Sequence, residues 1–451
     1  MADALSASAA NSVAARRVLR MRSRYEVANN SYARGIVLTL ANDTIGTGPR
    51  LQMLTQDQVL NRQVQSLFDQ WAWAVRLPEK LRTMRIAKVQ DGESFGVLIN
   101  NPRLSTPVTL DLRLVEADQI MTPNGFPAPG WVDGIIYDPK TLNPIEYHLL
   151  KHHPGDLYVQ QLLQYDKLSP DVVIHYFRTD RPGEVRGIPE LTPALPLFAQ
   201  LRRYTLAVLS AAECAADQAL VIYTDAPAAG QSDELEALDS IELERGLATT
   251  MPAGWKMGQV HSEQPSTGYK EFKSEVLNEI GRCLNMPLNV IMANSSGYNY
   301  SSGRLDHKVY WKSIEVEQSH IERVVLDHLF HSWLDEAALI EGLLPQSLRT
   351  RSIVVPHAWH WDFSEHIDPV KDATAQQIRL ETGVTNLAVE CATEGQDWRT
   401  QVAQGVQVKK EMIEQYQKEL GMSREEAVAL AFGTKPAPAT VPANEGANEA
   451  E

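Results

Sequence analysis

Apolar positions recur at helical spacing in several long stretches of the chain, and at alternate positions in a block between them. Residues 56–90 carry Leu60, Val64, Leu67, Phe68 and Trp71 on one face, which predicts a helix. From Asp91 to Tyr176 the pattern changes to short strands: Ser94-Phe-Gly-Val-Leu-Ile, Val108-Thr-Leu-Asp-Leu-Arg-Leu-Val, Glu146-Tyr-His-Leu-Leu and Val172-Val-Ile-His-Tyr-Phe. After Pro193 and Pro196 neither Gly nor Pro occurs from Leu197 until past Thr224. Leu197, Leu201, Tyr204, Val208 and Ala212 form a stripe there, so a long helix is expected. A second helix is expected from Tyr269 to Asn285, with Phe272, Val276, Leu277, Ile280 and Leu284 on one face and Pro287 beyond its end. A third, from Arg304 to about Glu341, carries Ile314, Ile321, Val325 and Leu329. Ser352 to Phe363 reads as a strand, and Asp368 to Phe432 as helices broken near Gly383, Gly395 and Gly421. The fold class is therefore expected to be α+β.

Composition adds limits. The 451 residues are 43% hydrophobic and 22% charged, ordinary for a globular chain of two or three domains. Runs of about eighteen apolar residues are absent, so no membrane span is expected. Met1 to Ala15 is rich in Ala and Ser and lacks the apolar core of a secretory signal; a disordered leader is the plainer expectation. Arg16, Arg17, Arg20, Arg22 and Arg24 come close behind, and read as a solvated basic helix face or as a contact with DNA or capsid. Cys214, Cys283 and Cys391 are too far apart for a disulfide framework or a zinc knuckle. The net charge of −15 disfavours tight non-specific DNA binding, although acidity also serves solubility alone. The tail from 433 to 451 is rich in Pro, Ala and Glu and is expected to be disordered.

Recognisable catalytic chemistry is missing. The sequence holds no Walker A phosphate loop, no nucleophile elbow and no His-Glu-x-x-His pair. The most metal-like run is His357-Ala-Trp-His-Trp-Asp, with His366 beyond it. Strand alternation puts His357 and His360 on opposite faces, where they cannot share one ion without further partners. Asp91-Gly-Glu93 is better explained as a turn before a strand than as a paired-carboxylate site, and His152 and His153 as surface histidines. No catalytic residue, metal ligand or cofactor is therefore assigned.

Several stretches resemble the lambda-type portal proteins of long-tailed bacteriophages. They are Asn29-Asn-Ser-Tyr-Ala-Arg-Gly with the later Gly46-Thr-Gly; Asp91-Gly-Glu; His175-Tyr-Phe-Arg-Thr-Asp-Arg-Pro-Gly-Glu-Val-Arg-Gly-Ile-Pro; Tyr269-Lys-Glu-Phe; Met286-Pro-Leu; Asn299-Tyr-Ser-Ser; and Ile367-Asp-Pro-Val-Lys. Each is short, but together they keep the family's order and rough spacing from about Asn29 to Gly421.

The resemblance implies a portal fold and a ring of about twelve subunits at one capsid vertex, through which DNA is packaged and ejected. It implies a flexible basic N-terminal arm over 1–28, an α+β wing over 29–190, and a first stem helix over 191–218. A clip over 219–267 comes next, then a second stem helix over 268–285 and a tunnel loop over 286–303. The long helix and wing strand then occupy 304–366, and the crown 367–432. The tunnel loop implies channel-lining roles for Asn294, Ser295, Tyr298, Asn299, Tyr300, Ser301 and Arg304. From Asn294 to Ser302 that loop is uncharged, so it offers hydrogen bonds and flat rings that hold phosphate weakly. The acidic run of the clip, with Asp233, Glu234, Glu236, Asp239 and Glu242, implies a docking surface for the terminase large subunit and later a head–tail adaptor. Major capsid or scaffold protein and double-stranded DNA complete the implied partners; a membrane is not among them. The implied location is the portal vertex of the virion, after assembly in the host cytoplasm. Competing readings are another structural connector or capsid protein, a packaging-associated ATPase or nuclease, and a plain DNA-binding protein. The missing Walker A loop argues against the ATPase, and the net charge against the last.

Overall fold

The structure is a computed structural model that describes residues 4–122, 130–156, 164–217, 221–224, 255–258, 268–297, 299–345, 348, 355–361, 369–393 and 398–433. The chain begins with helices α1 (Ala7–Ala10), α2 (Val13–Asn29) and α3 (Ser31–Ile45), then strand β1 (Arg50–Met53) and helices α4 (Gln58–Ala74) and α5 (Leu77–Asp91). A strand block comes next: β2 (Glu93–Asn100), β3 (Leu110–Val115), β4 (Trp131–Val132), β5 (Ile135–Tyr137), β6 (Pro144–Leu150), β7 (Tyr165–Leu168) and β8 (Val173–Phe177). Helix α6 (Leu195–Asp217), strands β9 (Val221–Thr224) and β10 (Trp255–Gly258), and helices α7 (Gly268–Arg282), α8 (Leu288–Met292) and α9 (Tyr300–Ile321) succeed it. A π-helical turn (Glu322–Leu326) leads into α10 (Asp327–Ala337). The remainder is β11 (His357–His360), α11 (Pro369–Glu381), α12 (Leu387–Thr393), α13 (Trp398–Leu420) and α14 (Arg424–Ala431). Helices and short antiparallel sheets occupy alternating regions, the α+β class expected. No helix among the described residues is long and apolar enough to cross a membrane.

The chain forms two compact units, neither of them continuous in sequence. One comprises residues 1–44, 82–98 and 113–326, the other 45–81, 99–112 and 327–451. In the first unit an apolar core gathers Ile36, Val37 and Leu40 of α3, Phe198 and Leu201 of α6, Leu277 and Ile280 of α7, and Tyr310 and Ile314 of α9. In the second, Phe68 and Trp71 of α4 meet Phe330 and Trp333 of α10 and Trp359 of β11, with ring centroids 5.2–6.3 Å apart. Edge-on and tilted contacts of this kind are the favoured geometry for aromatic rings. Strand β11 lies antiparallel to β1, pairing Leu51 with Trp359 and Met53 with His357.

Three expectations need correction. The first concerns the N-terminal arm, expected to be flexible, which is helical and packed over its described length. Ser6 and Ser12 cap two helices with their side chains, and α2 turns Arg16, Arg20, Ser23 and Glu26 inward. Second, the helix expected over 56–90 is two helices. Pro78 cannot donate to the carbonyl of Ala74 four residues earlier, and its ring would clash with it in a continuous helix; Arg76 takes up a left-handed φ of 54° at the joint. Third, the helix expected from Arg304 begins at Tyr300, because the Gly303 amide already donates to the Asn299 carbonyl at 3.1 Å. The strand expected from Ser352 is present at His357–His360. The acidic clip run and the C-terminal tail lie outside the described residues.

The arginines of α2 and two of the motif stretches meet in one buried cluster. Arg16, Arg20 and Arg24 are spaced at i, i+4 and i+8, so they share one helix face. Arg20 reaches Glu93 at 3.1 Å and Asp118 at 2.7 Å, Arg24 holds Asp91 through two bonds of 2.7 and 2.9 Å, and Arg16 pairs with Asp133. Arg186, only 1% exposed, clasps both oxygens of Glu93 at 2.7 and 2.8 Å and donates to the carbonyls of Ala117, Ile120 and Asp133. Asp91-Gly-Glu93 is the turn from α5 into β2, and both of its carboxylates are held by arginines. Its two carboxylates are the anionic half of the cluster. The glycine is required: Gly92 sits at φ 91° against the backbone of Ile188 and Pro189, and a Cβ on Gly187 would overlap the Gly92 carbonyl. The Asp-Gly-Glu and Arg-Gly-Ile-Pro stretches are two sides of one backbone crossing.

Candidate functional site

The segment that joins α7 to α9 is the candidate channel site. Its first part is not a free loop. Leu284, Met286 and Ile291 are buried in the core of the first unit. Asn285 turns the chain at φ 53°, and Gly281 of α7 lies so close to the Met286 carbonyl and the Ile291 side chain that any larger residue would displace them. Helix α8 then ends at Ala293 in the left-handed region, φ 50°, and the Asn294 amide returns to the Asn289 carbonyl at 3.0 Å. The Asn289 side chain meets His307 Nε2 at 2.9 Å, tying α8 to α9.

Between those anchors residues 293–297 and Asn299 are exposed. Asn294 and Ser295 therefore stand in solvent at the tip. The Ser296 amide folds back to Asn294 Oδ1 at 3.0 Å, the hydrogen bond of an Asx turn. Tyr298 lies outside the described residues. Tyr300, Ser301 and Arg304 belong to the backbone of the first turns of α9 rather than to the loop. The proposed channel residues that are described thus divide between an exposed turn and a helix start.

The two stem candidates pack against each other. Tyr204 of α6 stacks on Tyr269 of α7 with centroids 5.9 Å apart, and meets Phe272 at 4.4 Å. Beyond Leu201 none of the described side chains of α6 is fully buried, and Leu206 and Leu209 are exposed. Strands β9 and β10 lie beyond the helix, paired antiparallel from Val221↔Gly258 to Thr224↔Trp255. Asp233, Glu234, Glu236, Asp239 and Glu242 all fall between those strands, outside the described residues.

A second buried charge group links α5, β8 and α9. Arg85 holds both oxygens of Glu190 at 3.0 Å, and Lys88 binds Glu317 at 2.5 Å; Tyr176 donates to the same carboxylate. Burial opposes ionisation of Glu317, but the charges of Arg85 and Lys88 outweigh it and bring the carboxyl down to about 2. In the first cluster burial likewise opposes ionisation of Glu93, and Arg186 and the His175 hydrogen bond overcome it, holding that carboxyl well below the usual range. Burial pushes His175 and Lys88 down toward their neutral forms.

Metal-ligating geometry is sparse. His357 Nε2 meets Asp327 at 3.1 Å, whereas His360 Nε2 meets Gln52 at 2.6 Å, so the two histidines serve different partners. Among the described residues only Glu116, Asp118 and His153 bring three ligand atoms together, within 4.8 Å of one another. Arg24 already lies 3.3 Å from Glu116 and 2.8 Å from Asp118, so a cation there would face a guanidinium.

The family model of lambda-family phage portal proteins matches residues 2–318. The chain belongs to that family. A curated relative, described as a probable portal protein of Halomonas phage phiHAP-1, is 25% identical over 267 residues, which is 56% of this chain and 50% of the relative. The match thus spans about half the length of that relative. Among solved structures the portal chain resembles a chain in the virion of a native gene transfer agent particle, with 13% identity and a TM-score of 0.44. That match covers 84% of this chain and 93% of the other. It also resembles a chain in the neck of an empty gene transfer agent particle computed with C6 symmetry, with 12% identity, a TM-score of 0.46, and 84% and 92% covered. Sequence reasoning missed the buried arginine face of α2 as part of this portal fold. The i, i+4, i+8 spacing of Arg16, Arg20 and Arg24 was the available signal.

Proposed function

We propose that the protein is the ring subunit of a portal vertex, many copies closing around a channel through which double-stranded DNA enters and leaves a capsid. The family match over residues 2–318 carries this reading. A ring of identical subunits needs heterologous contacts that close by rotation, and about twelve copies is the expected number. In this reading residues 29–190 contribute the wing and 191–218 and 268–285 the stem. Residues 219–267 form the clip and 367–432 the crown.

The turn at Asn294 and Ser295, with Tyr298, Asn299, Tyr300, Ser301 and Arg304, faces the channel. The stretch 293–303 carries no charged side chain. Lysine and arginine gain affinity for DNA by releasing condensed counterions; amides and hydroxyls do not, so a wall made of them, with Arg304 the one cation named at its edge, lets a polyanion slide. The net charge of −15 acts in the same direction. The acidic residues Asp233, Glu234, Glu236, Asp239 and Glu242 of the clip steer the packaging motor, the terminase large subunit, and afterwards a head–tail adaptor, through charge complementarity. Capsid or scaffold protein surrounds the wing. The ring assembles in the host cytoplasm and ends in the virion, and its role is that of a conduit rather than a catalyst.

Electron microscopy and native mass spectrometry of the purified protein test the reading. Closed rings with a central hole are expected. A sample that stays monomeric under every assembly condition overturns it.

A further inference from the structure

Helices α2 and α6 leave an open groove between them. Leu19, Met21 and Tyr25 form one wall, Leu195, Pro196 and Ala199 the other, and its volume is about 530 Å³. The Glu26–Arg202 ion pair, at 2.8 Å, closes the floor, and Arg202 also lies over the Tyr25 ring. Met21 and Tyr25 are more than half exposed, as are Leu206 and Leu209 further along α6. On α6 the positions Leu195, Ala199, Arg202, Leu206 and Leu209 are spaced 4, 3, 4 and 3 apart, so they form one straight stripe. Helix α2 covers only its first half. The rim of the groove carries one exposed cation: Arg22 lines it and forms no ion pair among the described residues.

The same unit carries a surface of the opposite kind. Helix α7 presents Phe272, 46% exposed, with Glu275 and Glu279 at i+3 and i+7 on its face and Glu271 beside it. These three acids likewise form no ion pair among the described residues. Phe272 packs on the Tyr204 side of α6, whereas the groove opens on the Leu195–Ala199–Arg202 side. Knob and groove therefore stand on different faces of α6.

We propose that the α2–α6 groove receives helix α7 of a second copy of this chain, with Phe272 of that copy between the apolar walls and its Glu275 and Glu279 against Arg22. The proposal rests on the ring reading and names the surface that joins neighbours. The mode is that of an amphipathic helix laid into an apolar groove, with charge fixing its register. Because the two surfaces differ, each copy gives a knob to one neighbour and a groove to the other, the head-to-tail arrangement that a closed ring needs.

The test compares full-length wild-type protein with three variants by native mass spectrometry: Arg22→Glu, Glu275→Arg/Glu279→Arg, and the two combined. Wild-type protein is expected to form rings. Each charge reversal should weaken assembly about tenfold or more, and the combination should restore it. Rings of wild-type abundance in both reversed variants, or a combined variant no better than either alone, overturns the groove assignment while leaving the ring reading intact. Wild-type protein that never forms rings overturns the ring reading itself. Should a reversed variant melt below wild type, Arg22→Cys/Glu275→Cys decides the matter. Mild oxidation should give a covalent ladder of copies that neither single variant gives, and a wild-type-like ring without the ladder overturns the assignment.

Discussion

Glu93 has no exposed side-chain surface, yet it accepts from Arg20, His175 and Arg186 and from the Gly187 amide at 3.2 Å. Replacing it with Gln leaves Arg186 buried against a neutral group. Breaking one side of a buried pair typically costs about 3–5 kcal/mol, so the urea midpoint of Glu93→Gln should fall sharply. Glu116→Gln, whose carboxylate is largely exposed, should move it by about 0.5 kcal/mol or less. Acid should act on the same residues. A group whose folded pKa is depressed adds stability that is complete above its unfolded value and lost as pH falls. His175, ordinarily near 6.5, starts that loss, and Glu93 and Glu317, ordinarily near 4.5, deepen it as pH falls toward 2. Relative to its value near pH 7, the melting temperature should therefore decline slightly below about pH 6.5 and drop steeply below pH 4.5. A melting temperature unchanged down to pH 3 would contradict these assignments.

The turn between α7 and α9 makes its prediction at the scale of elements. Gly281→Ala forces a methyl into the space held by Ile291 and the Met286 carbonyl. It should cost about 1–3 kcal/mol, as overpacking of a tight core does. Asn289→Ala removes only the bond to His307, about 1 kcal/mol, and should raise hydrogen exchange across 293–297 more than elsewhere. Equal protection of that turn in wild type and variant would show that α8 is held by other contacts. The helices here were legible because Leu277, Ile280, Leu284, Ile314 and Ile321 keep strict helical spacing and all are buried. The start of α9 was not, because Tyr-Ser-Ser-Gly is poor helix-forming sequence and its first turn depends on the Asn299 carbonyl. Strands β1, β4, β5 and β7 were equally hidden. They are two to four residues long, and β1 finds its partner, β11, about three hundred residues away. No local alternation announces such pairs.

At the scale of the whole molecule, the acidic residues between β9 and β10 should be separable from ring formation. Glu236→Lys/Glu242→Lys should leave ring abundance unchanged while weakening terminase or adaptor capture about tenfold, measured by pull-down at low and high salt. Loss of the rings themselves would argue against a docking role. The order of the motif stretches made the family readable from sequence. The division into two discontinuous units was not readable, because it depends on where α5 and β2 pass from one unit to the other. For the N-terminus such hidden wiring has a practical cost. Its Ala- and Ser-rich opening invites a laboratory to trim it as a dispensable leader before expression. Cutting at Tyr25 would take away Arg16, Arg20 and Arg24 together, strip Asp91 and Asp118 of their guanidinium partners and leave Asp133 with Arg186 alone. The shortened protein would be expected to precipitate, and a worker judging by composition alone would blame the tail that remained.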